Sequence, residues 1–279
     1  MIHSFLKSRL GLKIRQILES KNFKLEDKHL GEECYIFGDG VSIQHYDLEN
    51  FNDKIGIACN HFPFHKDFKK TKVKYAILCE PYYFLPFFDT LIKKRKVESI
   101  FSFNPISFHY RKIIKDNPGI NFFINLSNFL ILKGKNVFYL YKNILSKKNK
   151  ANTLCNEFDC DKGVLRRSLS LAQFLGFKTI YLVGCDYLII PQKYGHWYEK
   201  DLNIYKDSEV KESYILNFIE KLKESNIKFK LVVPEQVESN IDVITYEDLF
   251  KKKTIFRKNN LLLSEENMKV FKMQKTMKL

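Results

Sequence analysis

No stretch of this chain approaches the roughly 18 consecutive apolar residues that a membrane-crossing helix needs, so a spanning protein is not expected. None of the six cysteines forms a C-x-x-C pair, which removes the commonest zinc and redox spacings. Cys34, Cys59, Cys79 and Cys185 sit in apolar runs, as buried reduced thiols do, and no disulfide framework is expected. Glycine (11) and proline (7) are scarce in 279 residues, and tryptophan occurs once. Fibrous and low-complexity classes are thereby excluded. The start, MIHSFLKSRLGLKIRQILESKNF, carries charges every few residues and no continuous apolar core, so a signal peptide is not expected. The expected location is the cytoplasm, with membrane contact only at the periphery.

What is present is globular in balance: 45% hydrophobic, 28% charged and rich in aromatics, with 25 Phe and 15 Tyr. That is enough to fill a sizeable core. Lys and Arg outnumber Asp and Glu 47 to 32, for a net charge of +15. The excess is uneven: residues 1–28 hold +4 and residues 251–279 hold +7, leaving +4 for the long stretch between. A nucleic-acid groove should run across the folded body. Charge gathered at the ends suits the inner face of an anionic membrane better, and nucleic acid is not an expected partner.

Residues 4–20 show an amphipathic helix pattern, with Leu6, Leu10, Ile14, Ile17 and Leu18 at spacings of three and four. The body then alternates short apolar runs with helical patterns. Residues 34–38, 54–59, 74–79, 99–103, 136–140, 179–184 and 229–234 predict strands apolar on both faces, as in a covered parallel sheet. Residues 82–95, 105–115, 122–133, 163–176 and 208–225 predict helices. The fold class is therefore α/β: a Rossmann-like, mostly parallel sheet with helices on both faces, plus terminal amphipathic helices. The expected division is an N-terminal helix (1–30), a ligand-binding domain (31–250) and a basic tail (251–279). In such a sheet, ligands bind at the carboxyl ends of the strands.

Five segments at those ends carry candidate chemistry. CYIFGDGVSI runs a strand into Gly38-Asp39-Gly40-Val41-Ser42, where glycines permit a tight turn and exposed amides suit phosphate. The third glycine of a dinucleotide fingerprint is missing, since Ile43 stands there. IACNHF places Asn60 at a strand end, to read a base or sugar hydroxyl or to cap a helix. His61 and His65 follow at i, i+4, without the third ligand a metal needs. LCEPYYF offers Glu80. DKGVLRRSLSLAQFLGFKTIYLVG starts a helix near Gly163, with Lys162, Arg166 and Arg167 beside its amide-rich N-terminus. GCDYLIIPQKYGHWYEKD brings Asp186, Tyr187, Tyr194 and His196 together just past a strand. A histidine there titrates near neutral pH and suits a general base; a structural loop histidine is the alternative.

Taken together, these segments resemble the bacterial sialyltransferases of glycosyltransferase family 42. GDGVS resembles the family's Gly-Asn-Gly-Pro-Ser loop, CNHF its Cys-Asn-Gln-Phe, and Glu80-Pro81 stands where it has Asn-Pro. KGVLRRSLSLAQFLGFKTIYLVGCDY resembles its Ser-Gly helix, following strand and Gly-Ile-Asp, and GHW its Gly-His-Ser. Order and spacing hold over about residues 34–250.

The resemblance implies a GT-A-variant fold and an inverting transfer of sialic acid, or a related nonulosonic acid, from a CMP-activated donor. The implied acceptor is a bacterial surface glycan, lipooligosaccharide or capsule. His196 would deprotonate the acceptor hydroxyl and Tyr194 would stabilise the leaving phosphate. Gly38, Asp39, Gly40, Ser42, Asn60, Glu80, Lys162, Gly163, Asp186 and Tyr187 would bind the donor. No cofactor and no metal is implied. A homo-oligomer is compatible with this scheme. Asp39 and Glu80 each replace a family asparagine, and Asp161-Lys162 replaces Thr-Ser. Two alternatives stay open: a phosphotransferase of pyrophosphokinase type holding a metal at Asp39 and Glu80, and a non-catalytic nucleotide- or glycan-binding protein.

Overall fold

The short apolar runs pair side by side as parallel strands. The computed structural model describes Lys13, Ile17 and residues 20–78, 80–84, 105–140, 163–199, 203–204 and 213–278. In chain order the strands are β1 (Glu33–Phe37), β2 (Ile55–Cys59), β3 (Val73–Leu78), β4 (Asn121–Asn125), β5 (Val137–Leu140) and β6 (Thr179–Val183). They continue with β7 (Ile189–Ile190), β8 (Lys193–Tyr194), β9 (Asn203–Ile204), β10 (Lys228–Val233), β11 (Glu238–Ser239) and β12 (Val243–Thr245). The described helices are α1 (Pro105–Asp116), α2 (Val164–Phe174), α3 (Ser213–Glu224), α4 (Tyr246–Phe250), α5 (Asn259–Leu262) and α6 (Glu265–Lys278). The chain divides into two units, one of residues 1–24, 78–161 and 264–279, the other of residues 25–77 and 162–263.

In the second unit the strand order is β12-β10-β6-β1-β2-β3, and neighbouring strands run parallel. β1 lies inside it, and Cys34 to Phe37 are fully buried. A central parallel strand is covered on both faces, which is why its sequence has no polar alternation. α2 lies over β1 and β2 and buries Leu165, Leu169, Leu171 and Ala172. α3 contacts β10 and buries Ile215, Phe218, Ile219 and Leu222. From β1 the chain adds β2 and β3 on one side, then returns to lay β6, β10 and β12 on the other. The order reverses between β1 and β6. The crevice outside their carboxyl ends is the usual place for a ligand in an open α/β sheet.

The first unit pairs β4 with β5 in parallel, with the Phe123 and Phe138 rings stacked 5.1 Å apart. Tyr110 of α1 stacks on Tyr83 at 4.6 Å, and His109 Nε2 lies 3.1 Å from Glu266 Oε1 on α6. The sequence-predicted helix 122–133 is corrected here: its first part is β4 and a 3₁₀ turn follows at Leu126–Asn128. Phe122, Phe123 and Ile124 are all fully buried. A short apolar run of this kind fits a strand and a buried helix equally well until its partner is known. The predicted strand 99–103 and most of helices 82–95 and 4–20 lie outside the described residues. Lys13 and Ile17 are helical, and Ile17 is exposed.

The basic segment after α4 is held against the second unit. Ile255 and Arg257 donate backbone N–H bonds to His45 O (3.0 Å) and Gln44 O (2.8 Å), and the Arg257 guanidinium pairs with Asp67 at 2.8 Å. Among the described residues no helix is long and apolar enough to cross a membrane.

Candidate active site

The glycine turn after β1 is shaped by its neighbour strand. Gly38 N–H donates to Val183 O at 2.7 Å and Gly40 N–H to Gly184 O at 2.8 Å. A Cβ on Gly38 would lie 2.4 Å from Gly184 O, and one on Gly40 would lie 2.5 Å from Asp186 Oδ2. Only glycine admits that approach. The two glycine amides expected to face a phosphate are thus engaged by β6 and its continuation. Asp186, buried just past β6, reaches back: its Oδ2 accepts from Ser42 N–H at 2.7 Å, and the Val41 amide bonds to it as well. It caps the 3₁₀ turn Val41–His45, whose own N-cap, Gly40, has no side chain to do so. Burial raises the Asp186 pKa, and the Ser42 bonds, then Lys193, partly offset this.

A cavity of about 200 Å³ opens at these strand ends. Gly38, Asp39 and Gly40 line it from β1, Cys59 and Asn60 from β2, and Gly184, Cys185, Asp186 and Tyr187 from β6. Asn60 takes φ +38°, a conformation asparagine tolerates better than most residues. Val164 and Leu165 bring the first turn of α2 to the wall, and its N-cap Gly163 makes no side-chain cap, so amides and the positive end of the helix dipole lie at the cavity. Arg167 is instead buried, and Arg166 lies over the Phe218 ring, 4.7 Å from its centroid. Neither lines the cavity.

His196 lines the cavity beside the glycine turn. Gly40 and His196 form an isolated antiparallel bridge, so the imidazole is anchored beside the glycine turn. The next residue does the anchoring. Trp197 is fully buried; its N–H donates to Asp39 O at 3.0 Å, its indole Nε1–H to Asp39 Oδ1 at 3.4 Å, and its carbonyl accepts from Gln44 Nε2 at 2.7 Å. The two histidines considered for a metal buttress the same loop. His61 meets Tyr198 edge-on at 5.3 Å, and His65 sits 5.0 Å from Trp197. Burial pushes the His65 pKa down to about 3, holding it neutral. Among the described residues no group of His, Cys, Asp and Glu is arranged to hold a metal ion.

Asp39 keeps some surface open to the cavity although protein atoms surround it closely. Burial pushes its pKa up to about 6 against the pull of His196, of the His61 amide and of Trp197. His61 N–H donates to its Oδ2 at 3.2 Å.

Of the sequence-predicted site residues, Gly38, Asp39, Gly40, Asn60, Asp186, Tyr187 and His196 converge on one cavity. Ser42 is buried, its amide tied to Asp186. Gly163 caps α2 beside the cavity wall. Glu80 is half-buried in the first unit. The backbone of Tyr194 lies in β8, paired with β9; its side chain and Lys162 lie outside the described residues. Sequence reasoning missed Lys193, which lines the cavity, and Glu199, whose Oε2 lies 3.2 Å from His196 Nδ1. The i, i+3 spacing of His196 and Glu199 is the signal that was available.

No protein-family model matches the chain, and no curated protein matches it. Among solved structures it aligns with the sialyltransferase CstII from Campylobacter jejuni in complex with the substrate analogue CMP-3FNeuAc, at 16% identity over 86% of this chain and 99% of that one (TM-score 0.46). It also aligns with the monofunctional alpha-2,3-sialyltransferase Cst-I from Campylobacter jejuni, at 13% identity over 89% of this chain and 94% of that one (TM-score 0.44).

Proposed function

We propose that this chain is an inverting glycosyltransferase that moves sialic acid, or a related nonulosonic acid, from a CMP-activated donor to a hydroxyl of a bacterial surface glycan, lipooligosaccharide or capsule. The observation that carries the reading is the bridge between Gly40 and His196, both of which line the cavity at the β1/β6 switch point. The motif resemblance assigns the same two segments to donor binding and proton removal, and the fold brings them together from more than 150 positions apart in sequence.

His196 takes the proton of the acceptor hydroxyl. The alkoxide oxygen attacks the anomeric carbon, the bond from that carbon to the phosphate oxygen breaks on the opposite face, and CMP departs with the electron pair. Inversion follows from the single displacement. The α2 N-terminus and the Tyr194 hydroxyl are proposed to stabilise the leaving phosphate, as prearranged donors do best where charge develops. Lys193, on the cavity wall, adds a positive charge. No metal takes part in this scheme. Ligand pockets commonly enclose about 300–1,000 Å³, so a cavity of about 200 Å³ holds part of the donor and leaves the remainder outside. The protein is proposed to work at the inner face of the membrane, drawn there by its basic segments.

A thermal-shift series with cytidine, uridine, guanosine and adenosine monophosphates, with and without magnesium, tests the donor. Cytidine monophosphate should raise the melting temperature most, and equally in chelator. Selective stabilisation by a purine nucleotide, or dependence on magnesium, would exclude this donor.

A further inference from the structure

His196 is half-exposed, with 48% of its side chain open to solvent, and an unrestrained imidazole there would populate both tautomers and rotate. Three contacts restrain it. Glu199 Oε2 accepts the His196 backbone N–H at 2.9 Å and lies 3.2 Å from Nδ1. Glu199 N–H in turn donates to His196 O at 2.8 Å, closing the turn. The Tyr198 ring stacks on the imidazole, 5.0 Å between centroids and 15° between planes.

Taking His196 as the base proposed above, we infer that Glu199 is its positioning residue. A carboxylate charge 3.2 Å from Nδ1 favours the tautomer that carries its proton on that nitrogen. With the proton fixed on Nδ1, the lone pair falls on Nε2, and Nε2 is the atom that removes the acceptor proton. When the imidazole becomes positive in that step, the carboxylate already beside it balances the charge. Tyr198 fixes the ring plane so that neither effect is lost to rotation. Glu199 does not touch the reacting atoms; it acts through the ring.

A purely structural role, closing the 196–199 turn, is separable, because glutamine closes the turn as well as glutamate does. The full-length chain is labelled with ¹⁵N-histidine, and its tautomers are read by NMR without ligand at pH 8.5, above the ordinary histidine range. The spectrum of His196→Ala assigns the signal among the seven histidines. Wild-type His196 should carry its proton on Nδ1, and Glu199→Gln and Glu199→Ala should shift it toward the Nε2-protonated form. Turnover with the activated sugar should fall about tenfold in Glu199→Gln and about a hundredfold in Glu199→Ala, since an aligned base is worth about 10²–10⁴. The KM for the donor should stay within about twofold, as expected when the residue serves the chemical step rather than binding. A wild-type proton on Nε2, or wild-type turnover in a folded Glu199→Gln and Glu199→Ala, would overturn the inference. If the wild-type chain turns over no activated sugar, the transfer proposal falls, and the tautomer measurement alone upholds or overturns the hold of Glu199 on the ring.

Discussion

Asp39 carries a charge where charge is costly. Its carboxyl sits against the cavity wall, tied to the His61 amide and the Trp197 indole, and its pKa is raised to about 6. A carboxyl that binds its proton more tightly when folded contributes stability below its unfolded pKa, near 3.8, and loses it as pH rises through about 6. The whole swing is on the order of 3 kcal/mol, from about 1.4 kcal/mol per pKa unit. Asp39→Asn removes it. Chemical denaturation of both proteins from pH 4 to pH 8 should therefore show the variant gaining on wild type as pH rises. Curves that stay parallel would mean that Asp39 is ionised without penalty. His196, Asp39 and Asn60 were legible in the sequence because their residue types stand just past apolar runs. Lys193 was not, since nothing distinguishes one lysine among many until the fold turns it into a cavity.

At the level of elements, the glycine turn is the instructive case. The sequence marks Gly38 and Gly40 as a tight turn near a ligand. The physical reason for both is the approach of Gly184 and Asp186, residues almost 150 positions away in the chain. Periodicity shows that β1 is a strand; it does not show which strand will lie beside it. For the same reason α2 and α3 were readable, since one face of each is apolar at helical spacing, whereas β4 was read as a helix. Between its two end asparagines NFFIN has no polar residue to set a period, and its pairing with β5 decides. The segment after α4 was expected to form a basic tail, yet Ile255 and Arg257 bond to the backbone of the Val41–His45 turn, and Asn259 Nδ2 reaches Tyr198 O at 3.0 Å. Those tertiary bonds leave no trace in local sequence.

Over the whole molecule the charge excess gathers toward the chain ends, and part of it sits in an exposed strip. Lys251, Lys252, Lys253 and Lys258 flank Ile255 and Phe256 there, and all are exposed. Cations mixed with apolar side chains suit an anionic bilayer surface. The chain should co-sediment with anionic vesicles, but not with zwitterionic ones, and should detach as salt rises; salt-independent binding, or none, would remove the membrane from the proposal. The α/β class and the strand-end location of the site followed from the alternation of apolar runs and helical patterns. The division into two interleaved units did not, because chain order says little about which distant segments pack together.

The most direct measurement is sugar transfer and donor binding by His196→Ala beside wild type, with the melting temperature as a check on folding. The variant should bind the activated sugar with unchanged affinity and lose at least about a hundredfold in transfer rate, the contribution of a general base. A folded His196→Ala that transfers at close to the wild-type rate would contradict the role given to this imidazole, and with it the meaning given to its place beside the glycine turn.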